Sequence, residues 1–123
     1  MIRPMEGVTM ANCLFCKIAS GEIPSKPVHS DERFYAFEDI NPQAPTHFLL
    51  VPRKHIPTLD DLSAEDAALM GDLVLLASKL AREKGLGEQG YRLNINCRES
   101  AGQSVFHIHA HVLGGRPFGW PPG

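Results

Sequence analysis

Three histidines of the chain's six stand at every second position of one short stretch, His107, His109 and His111. Side chains two apart on an extended chain share a face. The spacing therefore predicts a strand with a row of imidazoles on one side and Ile108, Ala110 and Val112 turned into a core on the other. Imidazole near neutral pH offers a nucleophile, a proton relay or a metal ligand. The plain alternative is three satisfied polar residues on a solvent-facing strand. The flanking residues favour chemistry, because Gly102, Gln103 and Ser104 supply a tight turn, an amide and a hydroxyl just ahead of the row. No acidic residue lies close enough in sequence to support a metal bound by the row alone.

Cys13 and Cys16 form a Cys-x-x-Cys pair with three open readings. A redox pair of the thioredoxin kind needs a strand and then a helix around it, which is not the pattern here. Two small buried residues leave the spacing to chance. Half of a zinc site needs two further nitrogen or sulfur ligands, and several histidines are available. Cys97 reads as a loop thiol and His29 as a surface histidine. His47 and His55 flank a strand-and-turn unit. The stretch from Gly85 to Gly90 matches G-x-G-x-x-G to the letter. It follows a helix instead of a strand, so it reads as a helix stop and a turn.

These residues need elements to hold them. "RFYAFEDI" alternates and carries aromatics, as a strand does, with Val28-His29 as a partner across a turn at Ser30-Asp31-Glu32. "HFLLVP", "YRLNIN" and "VFHIHAHVL" read as further strands. The long helix starts at Ser63, where Asp66 completes a capping-box pattern. Leu69, Leu73, Leu76 and Leu80 repeat at helical spacing, widened by Met70, Val74, Ala77 and Ala81. Gly85 is placed to end it. Short antiparallel strands with one long helix give an α+β class. The 123-residue length suits one domain over residues 12–123 with a core of its own, behind a frayed leader at residues 1–11 in which Met10 offers an alternative start. A net charge of −2 with scattered Lys and Arg argues against nucleic acid as a partner. The sequence has no membrane-spanning run of apolar residues and no signal-peptide pattern. An odd count of three cysteines fits the reducing cytoplasm better than a disulfide framework. Trp120 and the proline-rich tail are too apolar to hang free and point to packing within a homodimer.

The row stands as His107-Ile108-His109-Ala110-His111-Val112-Leu113, which resembles the signature of the histidine triad (HIT) family. "FEDINPQAPTHFLLVPRKHI", "AGQSVFHIHAHVLGGR" and "WPPG" are similar to its Hint branch of nucleoside phosphoramidases, and the likeness runs from Cys13 to Gly123. The resemblance implies an antiparallel sheet of about five strands with one long helix, forming half of a ten-stranded dimer. It implies that His109 attacks the α-phosphorus of a purine nucleotide conjugate and forms a nucleotidyl-histidine that water hydrolyses. By the same likeness His111 orients the nucleophile or donates to phosphate oxygens, His47 completes that relay, and Ser104 contacts the leaving group. Gln103, Ser104 and Asn96 donate to phosphate, and Asp39 accepts from the ribose. Phe15, Ile18, Phe37 and Ile40 make the base slot, and Trp120 lies at the pocket rim of the partner. No cofactor is needed for that chemistry. Members with the cysteine pair bind structural zinc, which implies Cys13, Cys16, His55 and His107 as ligands.

Two other activities stay in view. One is hydrolysis of dinucleoside polyphosphates, another branch of the same family. The other is a nucleotide-binding regulatory module with incidental turnover. A transferase branch carries glutamine in place of the third histidine, so His111 favours water as the final acceptor.

Overall fold

The computed structural model describes residues 12–123; the leader predicted at residues 1–11 lies outside them. A short helix, α1 (Leu14–Ala19), leads into β1 (Pro27–Ser30), β2 (Phe34–Glu38) and β3 (Thr46–Pro52). The long helix α2 (Ala67–Glu83) follows, then β4 (Tyr91–Asn94) and β5 (Ala110–Gly114). All pairings are antiparallel, in the order β1-β2-β3-β5-β4, which makes β4 an edge. This is the α+β arrangement expected. No helix among the described residues is long and apolar enough to cross a membrane.

The sheet buries both faces, and the period of two decides which residue goes where. Phe48 and Leu50 of β3, with Ala110 and Val112 of β5, pack against Leu73, Ala77, Leu80 and Ala81 of α2. Leu49 and Val51 turn the other way, onto Phe37 and onto Phe15 and Ile18 of α1. This explains why β3 reads as an unbroken apolar run. His47 and His111 also take the α1 side of the sheet: Leu49 pairs with His111 and His47 with Leu113 in the register of β3 and β5.

At the start of α2 a single 3₁₀ turn (Ala64–Asp66) runs into the helix, and the backbone N–H of Ser63 donates to Asp66 Oδ2 at 3.0 Å. At its end Gly85 has φ +82, its N–H bonds Arg82 O at 2.9 Å, and Leu86 N–H bonds Ala81 O at 2.9 Å. That is the left-handed glycine stop expected of this position. Gly114 answers a different demand: a Cβ there would sit 2.6 Å from Leu86 Cδ1, so only glycine lets β5 pass the helix stop.

Two local features differ from the sequence pattern. The Cys-x-x-Cys stretch, whose composition is turn-rich, is helical over Leu14–Ala19, with Cys13 Sγ capping it by accepting the Cys16 N–H at 3.3 Å. The last strand was expected from Val105, but it starts at Ala110. The cause is Pro52. The register carries Ile108 opposite Pro52, which has no N–H to give. Ile108 N–H instead bonds Ile56 O at 2.7 Å, leaving the ladder two residues early. The inward alternation survives all the same, since Ile108, Ala110 and Val112 are fully buried.

Candidate functional site

The row's hydrogen bonds set the tautomer of each ring. His109 Nδ1 lies 2.8 Å from His107 O. A carbonyl only accepts, so Nδ1 carries the hydrogen and Nε2 holds the free lone pair. Burial holds His109 below the usual histidine range, although its carbonyl contact and Asp39 pull the other way. Its ring is therefore neutral at neutral pH, with the lone pair on Nε2. Phe15 meets it edge-on at 4.8 Å and 89°.

His111 sits 5.1 Å from His109, ring centroid to centroid, and is anchored from behind. The backbone N–H of Gln43 donates to His47 Nδ1 at 3.0 Å. His47 must then carry its hydrogen on Nε2, which donates to His111 Nδ1 at 3.0 Å. His111 is left with its hydrogen on Nε2. Burial, then the neighbouring His109 and His47, push His111 down to about 4, and burial also lowers His47. The relay Gln43–His47–His111 is thus a chain of neutral donors ending in one free N–H. Asp39 Oδ2 lies 3.4 Å from His47 Nε2. Its other oxygen accepts the Asn41 N–H at 2.8 Å, which turns the carboxylate toward the nearby cleft. Ligand atoms of Asp39, His47 and His111 fall within 4.8 Å of one another. A metal there would have to displace the hydrogen that joins the two rings.

Two clefts share His47. One, about 780 Å³, is lined by Ile18, Phe37, Ile40 and Asp39. The other, about 490 Å³, is lined by His111, Asn94, Asn96 and Arg92. Ile18, Phe37, Ile40 and Asp39 thus come together as expected, and Asn96 stands on the far side of the histidines.

Two expected site residues, Phe15 and Gln103, are placed otherwise. Phe15 is buried against His109 and His107 and lines neither cleft. The Gln103 amide folds the loop: Nε2 donates to Pro57 O at 2.7 Å and Val105 O at 3.1 Å, and Oε1 accepts from Arg98 N–H at 2.7 Å. That last bond holds Arg98 at φ +69, and even the Gln103 N–H is spent on Arg98 O. Gln103 therefore has no donor left for phosphate and acts by shaping the loop that carries Ser104, which is exposed beside the row. Trp120, expected at the pocket rim of a partner, is 86% exposed on the single chain. Arg92 anchors the tail through Gly119 O, and this brings Phe118 and Pro122 to the second cleft.

The first histidine of the row has a separate task. His107 Nε2 donates to Pro52 O at 2.7 Å, the carbonyl left free where the ladder ends. Its Nδ1 lone pair then faces Cys13 Sγ at 3.3 Å, Cys16 Sγ at 3.5 Å and His55 Nδ1 at 3.3 Å. Cys16 Sγ to His55 Nδ1 is 3.4 Å. Tetrahedral zinc with Cys and His ligands requires edges of about 3.3–3.8 Å. A carbonyl behind one ligating imidazole is the usual orienting contact. Burial, and then Cys13 beside it, push the Cys16 thiol up to about 12. A cation bound there would offset that burial and draw both sulfurs into the thiolate form. The residues present fit a metal ion. His55 Nε2 is buried without a hydrogen-bond partner.

The sequence profile of the HIT domain matches residues 20–118. The purine nucleoside phosphoramidase of Escherichia coli (strain K12) is 49% identical over 106 residues, 86% of this chain and 89% of that protein. Among solved structures, a HIT family hydrolase from Legionella pneumophila Philadelphia 1 superposes with TM-score 0.90 at 54% identity, covering 91% of this chain and all of that one. A histidine triad protein from Clostridium difficile superposes with TM-score 0.85 at 40% identity, covering 97% of each.

Proposed function

The chain belongs to the HIT domain family, and on that premise we propose that it is a hydrolase of purine nucleoside 5′-phosphoramidates that works through a nucleotidyl-histidine. The observation that carries this reading is the hydrogen bond from His109 Nδ1 to His107 O, which leaves Nε2 as the only lone pair on a neutral buried ring.

In the first step His109 Nε2 attacks the α-phosphorus. The Nε2–P bond forms, the P–N bond to the amine breaks, and the departing nitrogen takes a proton from the exposed Ser104 side or from solvent. The ring becomes an imidazolium, and the His107 carbonyl dipole at 2.8 Å stabilises that charge. In the second step water attacks phosphorus, the Nε2–P bond breaks, and the proton that water releases restores the Ser104 side or passes to solvent. Nucleoside monophosphate leaves, and His109 returns to its neutral form. The free N–H of His111 serves the phosphate oxygens in both steps, as a fixed donor backed by His47 and Gln43. The nucleoside occupies the cleft of Ile18, Phe37 and Ile40, with Asp39 accepting from ribose hydroxyls.

A turnover panel tests the reading. Adenosine and guanosine phosphoramidates should be cleaved with kcat/KM at least about a hundredfold above diadenosine tri- or tetraphosphate. The reverse order would make the polyphosphates the substrates, and tight nucleotide binding without turnover would make the protein a regulatory module.

Cys13, Cys16, His55 and His107 hold one structural zinc in this reading. Four protein ligands close the coordination shell, so the metal has no open position for a catalytic water. The same reading includes a cytoplasmic homodimer. β4 is an edge strand, and Val74 and Leu75 of α2 are 47% and 70% exposed. An isologous contact would cover them together with Trp120. Light scattering at micromolar concentration should give twice the 13.5 kDa chain mass; a monomer would refute the dimer.

A further inference from the structure

The cleft on the far side of His47 has a charge pattern that the hydrolytic steps do not use. β4 pairs Asn94 with His111 and Arg92 with Leu113, so Arg92 stands on the same face of the sheet as the catalytic row, one step further out. Arg116 enters the same cleft from the segment after β5. The two guanidinium groups bracket Phe118, with Cζ atoms 5.0 and 4.3 Å from its ring centroid. Their acceptors are neutral carbonyls: Gly119 O for Arg92 at 2.9 Å, and Gln43 O and Pro117 O for Arg116 at 3.0 and 2.9 Å. Arg33, Lys54 and Lys84 are paired with the carboxylates of Asp72, Asp66 and Glu38, whereas Arg53, which lines neither cleft beside His47, also bonds neutral oxygens of Asp31, Ala19 and Ser30. Among the described residues no acidic side chain lines this cleft, and Gly123 at the end of the chain borders it. His47 and His111 bring it no charge, since burial keeps both neutral.

We propose that Arg92 and Arg116 form a leaving-group subsite that selects nucleotide conjugates whose departing amine carries an oxyanion, a carboxylate or a phosphate. The inference rests on the phosphoramidase reading above and deepens it. The two clefts meet at His47 and differ in sign. Asp39 stands in the nucleoside cleft, where hydroxyl groups need an acceptor. The arginines stand in the other cleft, which His111 and Asn96 also line, and the leaving group is assigned to it. A guanidinium with spare N–H donors binds carboxylate and phosphate in a planar fork. The Phe118 ring between the two holds their planes in place. The departing amine is thereby fixed beyond the P–N bond while His109 attacks from the other side.

The test compares leaving groups of matched size. Adenosine phosphoramidates of glycine and glycinamide differ by one carboxylate, and those of phosphoethanolamine and ethanolamine by one phosphate. The wild-type protein should prefer the anionic member of at least one pair by about tenfold in kcat/KM, and the pair with the larger ratio identifies the oxyanion. Arg92→Gln with Arg116→Gln keeps amide donors for the tail carbonyls and removes both charges; the preference should fall below about twofold. Arg92→Lys with Arg116→Lys should retain part of it, which an effect of tail disorder alone would not do. Equal rates within both pairs in the wild type, or an unchanged ratio in the glutamine variant, would overturn the subsite. If the wild type cleaves none of the four, the phosphoramidase reading has failed. Equilibrium binding of the same conjugates then decides the subsite by the same ratios.

Discussion

His109→Ala lowers kcat/KM for a nucleoside phosphoramidate by at least about 10⁴-fold, some 5.5 kcal/mol of transition-state stabilisation, while nucleotide binding persists. The size of the effect follows from the role. The ring forms a covalent bond to phosphorus, and no other imidazole can take its place. His107 directs its Nδ1 lone pair toward the cysteines, and His111 receives the His47 hydrogen on its own Nδ1. His111→Ala removes a donor but not the nucleophile and should cost about a hundredfold. Because His109 is buried, its alanine variant also loses a hydrogen bond and some packing. His109→Gln controls for this, since its amide retains a donor for the His107 carbonyl yet forms no nucleotidyl adduct. Wild-type protein stopped mid-turnover under non-acidic conditions should carry the nucleotide on His109, seen by mass spectrometry of the peptide. Turnover near wild type in either variant would refute the covalent route.

Much of this geometry was legible because it depends on short-range periodicity. The leucines of α2, the Ser63 and Asp66 start and the Gly85 stop are local signals, and the helix follows them. The alternation of Ile108, Ala110 and Val112 predicted the inward face even though the hydrogen-bonded strand begins late. That late start shows the limit of such reading. Nothing within "VFHIHAHVL" reports that Pro52, more than fifty residues away, will lie opposite it and deny it a donor. The same lost ladder bond frees the carbonyl that orients His107. One proline therefore both shortens β5 and fixes the His107 ring.

The relay shows a different limit. His47 was singled out by likeness, but the group that sets its tautomer is the backbone N–H of Gln43, which no side-chain motif can announce. Gln103 was expected as a phosphate donor from the likeness to the family. In the folded loop Arg98, at φ +69, needs its oxygen, and two carbonyls need its nitrogen. Arg92 and Arg116 carried no signal at all, being 24 positions apart in a chain of scattered charge. Only the antiparallel pairing of β4 with β5 brings them to one cleft. Helix α1 was missed because six residues are too few for a pattern and its cap is a thiol instead of a hydroxyl or carboxylate.

Removing the cysteine pair, Cys13→Ser with Cys16→Ser, abolishes metal binding and lowers the melting temperature by about 10 °C or more. The four ligand atoms come from three separate places in the chain: the α1 cap, the connector after β3 and the approach to β5. A metal that binds only when these are assembled adds its binding free energy to folding. Free zinc at a hundred to a thousand times its Kd is worth roughly 3–4 kcal/mol. α1 needs that tie, because six residues make no stable helix alone and Leu14 on its outer face is 44% exposed. Phe15 of the same helix rests edge-on against His109, so loosening α1 should disturb the nucleophile. Activity well below the melting temperature should therefore fall severalfold, not by the 10⁴ expected of His109→Ala. Protein purified without chelator should hold about one zinc per chain by elemental analysis. Serine keeps the size of cysteine while withdrawing the thiolate, so a full zinc content in the double variant would place the metal elsewhere. A chelator-free preparation with no metal would return Cys13 and Cys16 to the role of small buried side chains, with His107 left to brace the Pro52 carbonyl.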